Sequence, residues 1–162
     1  MIRWDTMASP IGTLLLTGTK EGLTGLYLET GGAASAAVMS AVRDPAAFAG
    51  AKRQLQEYFD GTRREFSLPL LPEGTPFQQM VWEALRDIPY GTTISYQELA
   101  NRIGAEKAVR AVGAANGANP IPIIIPCHRV IGADGSLTGY GGGIERKRWL
   151  LDHESGQRPL PL

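Results

Sequence analysis

The chain has 162 residues, 43% of them apolar, which suits one compact domain or two small lobes with a buried core and excludes a disordered polymer. Sixteen lysines and arginines offset sixteen aspartates and glutamates, and from Phe77 onward the balance is nine basic to eight acidic side chains, so net charge supplies none of the long-range pull of a strongly basic nucleic-acid binder. A single cysteine excludes an internal disulfide and, with two histidines, is a poor set for structural zinc; with no leader pattern and no membrane-length apolar run read, the expectation is a cytoplasmic protein without a metal or membrane partner.

Residues 13–17 and 23–29 read as two short strands of a meander, joined by the turn formers Gly18, Lys20 and Gly22. Residues 31–40 are small and polar enough for a surface loop. Asp44-Pro45 then has the form of an N-cap and N1 proline, and Phe48, Ala51, Leu55, Tyr58 and Phe59 follow at helical spacing up to the stop at Gly61. Residues 65–70 return to an extended pattern. Pro69, Pro72, Gly74 and Pro76 read as a linker, which divides the chain into a lobe of residues 1–72 and a domain of residues 73–162.

Thr75-Pro76 repeats the cap-and-proline signal, and Phe77, Met80, Val81, Ala84, Leu85 and Ile88 trace one helical stripe closed by Pro89 and turned by Tyr90-Gly91. Ser95 caps a short helix carrying Tyr96, Leu99, Ala100 and Ile103, and Gly104 ends it. A second helix over residues 107–116 gives the pair helix-turn-helix dimensions, for which a plain helical hairpin is the alternative. Residues 121–125 are a nearly continuous β-branched run. Asp134-Gly135, within residues 130–138, signals a hairpin that would make a wing. A last helix over about residues 144–154 points Ile144, Trp149 and Leu150 or Leu151 inward.

The chemistry concentrates in Pro126-Cys127-His128-Arg129-Val130. A thiol attacks as thiolate, which nearby cations or a histidine base favour, and His128 and Arg129 are such groups. Neighbours in an extended strand point to opposite faces, so Cys127 and His128 cooperate only if the backbone turns there or a water bridges them; Pro126 suits a turn. Taken bare, the cysteine also reads as a small buried hydrophobe.

The approach Asn119-Pro120-Ile121-Pro122-Ile123-Ile124-Ile125 into Pro126-Cys127-His128-Arg129-Val130-Ile131-Gly132 resembles the 6-O-alkylguanine-DNA alkyltransferase family, stand-alone bacterial type. Phe77-Gln78-Gln79-Met80-Val81-Trp82, Ile88-Pro89-Tyr90-Gly91, Ser95-Tyr96-Gln97-Glu98-Leu99-Ala100, Arg110-Ala111-Val112-Gly113-Ala114-Ala115-Asn116, Tyr140-Gly141-Gly142-Gly143 and Trp149-Leu150-Leu151-Asp152-His153-Glu154 recur in the family's order. The resemblance is close over about residues 75–156 and holds in outline over residues 1–70. It implies an α/β (α+β) fold, with a small ribonuclease-H-like sheet lobe followed by a winged helix-turn-helix domain that holds the active site.

The implied activity is direct-reversal DNA repair: an alkyl group leaves 6-O-alkylguanine, or 4-O-alkylthymine, for Cys127, once and irreversibly, after minor-groove binding and base flipping. By resemblance His128 is the base, acting through a water; Glu154 is the acid that orients it, and Asn119 is a hinge between the helix-turn-helix and the cysteine. Tyr96 resembles the residue that helps rotate the target phosphate, and Arg110 the side chain that fills the place of the everted base. Ala111, Gly113, Ala114 and Ala115 give the helix close approach to the duplex, and Val130, Tyr140 and Gly141 line the guanine pocket. Gly141 stands where the human-type pattern has serine, and Gly117 where it has a second arginine, departures that bear on pocket contacts and phosphate grip; the run from Gly141 to Gly143 also implies a roomier or more mobile pocket. The implied partner is double-stranded DNA bearing the lesion, bound without a cofactor by a monomer, with cooperative loading left open. The short stretch before Trp4 reads as leaving no room for a fused regulatory module.

Three other classes compete. A lesion-flagging alkyltransferase-like protein lacks the cysteine, a winged-helix regulator has no use for the Cys-His-Arg segment and Glu154, and a cysteine hydrolase rarely carries its cysteine and histidine side by side.

Overall fold

The computed structural model describes residues 1–28 and 32–156. The chain forms two compact units that meet in sequence at Pro72 and Glu73. Both strand and helix are present, the larger sheet in the first unit and most of the helix, with a two-stranded sheet, in the second.

The first unit has a four-stranded sheet in the order β3-β2-β1-β4, built from β1 (Arg3–Met7), β2 (Leu14–Thr19), β3 (Gly22–Tyr27) and β4 (Val42–Arg43). β2 pairs antiparallel with both β1 and β3, and β4 lies parallel to β1. The expected meander is β2–β3; β1 is an addition. It escapes an alternation search because its one buried side chain is Asp5, bonded to Arg43 and Lys52. Residues 31–40 are not a loop throughout: α1 (Gly32–Val38) is helical, as its high alanine content favours. Glu29 and Gly31 lie outside the described residues.

Asp44 caps a 3₁₀ turn (Pro45–Phe48) that leads into α2 (Ala49–Phe59), which buries Ala51, Gln54, Leu55, Tyr58 and Phe59. Leu14, Leu16, Leu23 and Leu26 of the sheet are buried in the same unit. Residues 65–70 make no regular strand; Leu70 forms a single parallel bridge with Leu23.

The second unit opens on α3 (Pro76–Leu85). Thr75 Oγ1 accepts from the Gln78 amide at 3.1 Å and Gln78 Oε1 accepts from the Thr75 amide at 2.9 Å, a complete capping box. Thr75→Ala is therefore expected to lower stability by about 1 kcal/mol. A denaturant midpoint that stays put would contradict this. The buried side of α3 is Val81, Trp82 and Leu85, while Met80, expected in the stripe, is 45% exposed. Trp82 takes over that role, its Nε1 donating to Ala115 O at 2.8 Å.

α4 (Tyr96–Arg102) is capped by Ser95, and α5 (Val109–Gly117) follows after Gly104, whose φ of 71° suits a residue without Cβ. α3, α4 and α5 pack against one another, so the tight pair α4–α5 is a helix-turn-helix on a supporting helix. The anticipated wing hairpin is reduced to a turn. Asp134 and Gly135 form it, but β6 (Val130–Ile131) pairs parallel with β5 (Ile94–Ser95), not with residues after the turn. α6 (Ile144–Glu154) buries Lys147, Trp149, Leu150 and Glu154; Ile144, expected inward, is 46% exposed. No helix among the described residues is long and apolar enough to cross a membrane.

Candidate active site

The apolar run 121–125 is a turn, with the Ile125 amide donating to Ile121 O at 2.9 Å. Ile123 sits at φ 72°, a conformation that a β-branched residue adopts only when its surroundings impose it, and it is 1% exposed. Asn119 ties the ends of this turn together: Oδ1 accepts from the Ile121 amide at 3.0 Å and Nδ2 donates to Ile125 O at 2.7 Å. Cys127–Arg129 then forms one 3₁₀ turn, which frees Cys127 and His128 from the opposite-face geometry of a strand.

Cys127 is 5% exposed. Burial pushes its thiol up to about 11, opposed by a hydrogen bond from Asn119 and by the charge of Lys147. Arg129, the other cation expected to favour the thiolate, is committed elsewhere. Its Nε donates to Glu154 Oε1 at 2.7 Å, its Nη2 to Oε2 at 3.0 Å and its Nη1 to Ile88 O at 2.7 Å. Lys147 takes its place. It is 0% exposed, donates to Val130 O at 2.7 Å and Thr138 O at 2.9 Å, and lies 5.8 Å from the centre of the Tyr96 ring. A search for cysteine neighbours along the sequence misses it, although a lysine on the inward side of a helix that also buries Trp149 and Leu150 is a signal in itself.

His128 is wholly buried, and its Nε2 lies 2.6 Å from Glu154 Oε2. Glu154 also accepts from the Gly91 amide at 3.3 Å, at a turn where φ is 79° and a Cβ would approach Glu154 O to 3.1 Å. Burial by itself would raise this carboxyl; His128 and Arg129 together hold it far below the usual carboxylate range. Burial lowers His128 against the pull of Glu154, with Arg129 and Lys147 pushing the same way as burial. The pair is therefore a carboxylate and a neutral imidazole. An ionised carboxylate only accepts, so Nε2 carries the hydrogen and Nδ1 carries the lone pair, and no described group bonds to buried Nδ1.

Tyr140 brings a buried hydroxyl without a described partner, raised well above 10 by burial and by the nearby charges of Cys127 and Glu154. Val130 is buried and offers its carbonyl to Lys147, and Tyr96 donates its hydroxyl to Thr138 O at 3.1 Å. Gly141 is exposed, with open space where a Cβ would stand. On α5, Arg110 and Ala111 are exposed and Gly113 faces the Tyr96 ring, where a Cβ would stand 3.7 Å away. Ala115 departs from expectation. It is 4% exposed and packs against α3 through the Trp82 bond, so its side chain is not on the open face of the helix. Asn116 adds a contact not foreseen, Nδ2 donating to Cys127 O at 3.4 Å. Among the described residues no group of three histidine, cysteine, aspartate or glutamate side chains is arranged to hold a metal ion.

Known proteins match both halves. Residues 2–72 match the family model described as 6-O-methylguanine DNA methyltransferase, ribonuclease-like domain, and residues 76–156 match that of its DNA binding domain. A methylated-DNA–protein-cysteine methyltransferase of Mycobacterium tuberculosis is 55% identical over 163 residues, covering 100% of this chain and 98% of its own. The constitutive protein of that name from Bacillus subtilis is 45% identical, over 93% of this chain and 94% of its own. The crystal structure of M. tuberculosis OGT in complex with DNA has a TM-score of 0.90 at 53% identity, covering 97% of this chain and 95% of that one. With both of its units matched along almost their whole length, the chain belongs to the 6-O-methylguanine DNA methyltransferase family.

Proposed function

We propose that the protein is a suicide DNA-repair transferase, a methylated-DNA–protein-cysteine S-methyltransferase, that moves an alkyl group from O6 of guanine in duplex DNA to Cys127. The observation that carries this reading is a buried thiol in the same 3₁₀ turn as a neutral histidine that a fixed carboxylate aims, in a chain of this family. The thiol proton passes to His128 Nδ1 through a water. The thiolate attacks the alkyl carbon in line with its bond to O6, an S–C bond forms as the C–O bond breaks, and the proton taken up by His128 returns through water to N1 of the departing guanine. Thioether formation removes the nucleophile, so each chain acts once.

Lys147 supplies the positive charge that the transient thiolate needs in a buried site, and Asn119 holds the cysteine turn against the helix-turn-helix. Tyr96, Val130, Tyr140 and Gly141 border the space that the everted base fills, while Ala111 and Gly113 let α5 approach the minor groove. 4-O-Alkylthymine is the secondary substrate. Residues 73–162 are the acting domain and residues 1–72 a supporting lobe. Every side chain named here belongs to one unit of one chain, which suits a monomer, and the free thiol suits the reducing cytoplasm.

Arg110 is exposed on α5, where it fills the gap left by the everted base. Because eversion costs a few kcal/mol, Arg110→Ala is expected to slow repair of duplex DNA about tenfold or more while leaving reaction with free 6-O-benzylguanine unchanged. Equal slowing of both would contradict this role. The activity itself is tested on the DNA. A strand carrying 6-O-methylguanine is expected to be returned with ordinary guanine and an unbroken sugar-phosphate chain; an abasic site or unchanged lesion would overturn the reading.

A further inference from the structure

This inference rests on the reading of Cys127 as acceptor and His128 as its base. Arg129 does not face the thiol; its fork grips both oxygens of Glu154, its remaining nitrogen donates to Ile88 O, and its Cζ lies 5.7 Å from the centre of the Tyr90 ring. Four directions are thus fixed for one buried guanidinium. Glu154 in turn has a single orientation in which Oε2 meets His128, because Oε1 is held by Arg129 and the Gly91 amide. A point-charge cation could not hold both oxygens in this way.

Electrostatics adds a second consequence. A lone buried carboxylate 2.6 Å from an imidazole would draw a proton onto the ring, and an imidazolium has no lone pair left to receive another. Arg129 stands on the same carboxylate with an opposite charge. The other charged or titratable groups around this site are Lys147 and Arg146 from α6, Cys127 in the same turn, and the Tyr90 and Tyr140 phenols. α3, packed against the turn, buries only the apolar Val81, Trp82 and Leu85. We propose that Arg129 is a positioning residue for the transfer: its fork aims Glu154 at His128 and offsets the carboxylate's charge, so that the imidazole rests neutral with Nδ1 open to the thiol proton.

The test follows alkylation of Cys127 by free 6-O-benzylguanine in a single turnover across pH, so that DNA binding does not enter. Arg129→Met is expected to move the acid limb of the pH–rate profile up by about one unit and to lower the rate at neutral pH several-fold. Arg129→Lys keeps a charge and loses the fork, so its limb is expected to stay in place while the rate falls several-fold at every pH. Nitrogen NMR of wild-type His128 at neutral pH is expected to find Nε2 protonated and Nδ1 bare, a readout that needs no variant to fold. A wild-type imidazolium at neutral pH, or an Arg129→Met profile scaled down without a shifted limb, would overturn the proposal while leaving Cys127 as acceptor. A wild-type protein that takes up no benzyl group would overturn the transferase reading and this inference with it.

Discussion

His128→Ala is expected to slow alkyl transfer at neutral pH by about 10²–10⁴-fold, the usual range for loss of a positioned general base. The form of the pH dependence should change as well. In the wild-type protein the imidazole is lowered by burial, so the rate should fall only below the ordinary histidine range and stay level through neutral pH. Without it the reaction depends on thiolate already present. The thiol is pushed up to about 11, so the variant's rate should climb about tenfold per pH unit through the neutral and mildly alkaline range. Single-turnover rates with free 6-O-benzylguanine decide the matter. A variant that keeps the wild-type rate, or a level profile, would show that the ring does not take the proton.

Glu154→Leu is the second large effect, this time on stability. The substitution leaves the Arg129 fork and His128 Nε2 buried without their acceptor, and removing one partner of a buried ion pair costs about 3–5 kcal/mol. The pH dependence carries a sign. Glu154 is held below its ordinary value of 4.5, so its contribution is complete above that pH and is lost as pH falls. His128 is held below 6.5, so acidification through that value protonates the unfolded chain first and also favours unfolding. Wild-type stability should therefore decline from about neutral pH downward, and the decline contributed by Glu154 should be missing in Glu154→Leu. Denaturant midpoints at neutral and acid pH measure both. A loss below about 1 kcal/mol at neutral pH would mean that the pair is not the buried, charged unit described here.

Elements fixed by nearby residues were legible in the sequence. Thr75 with Gln78, Ser95 with Glu98, and Asp44 with Pro45 start helices where they were expected, because a cap is a contact across three residues. Met80 and Ile144 were placed inward by periodicity and lie outward, since a helix stripe does not say how far the neighbouring packing extends. β1 was hidden by its inward Asp5, whose ion pairs with Arg43 and Lys52 join residues about forty positions apart. The apolar run before the cysteine has the composition of a strand, and tertiary context turns it, with Ile123 held in an unfavourable conformation.

The same distinction applies to the site. Cys127 and His128 were singled out by thiol chemistry, and Asn119 and Glu154 through the family's motifs. The commitment of Arg129 to Glu154 and Ile88, the carbonyl contacts of Lys147 and the Gly91 amide on Glu154 all depend on pairings remote in sequence, and no local pattern encodes them. Ala115 was assigned to the open face by its small size, yet small residues serve helix packing as readily as they serve approach to a ligand.

On the proposed reading, the sulfur of Cys127 leaves its buried, protonated state to take an alkyl carbon from DNA. Intact-protein mass spectrometry after mixing with a duplex bearing 6-O-methylguanine, followed by peptide mapping, tests it directly. The expected result is a gain of one methyl group per chain, located on Cys127 and absent in Cys127→Ser. An unmodified protein beside an intact lesion, or a methyl group found on another residue, would contradict it.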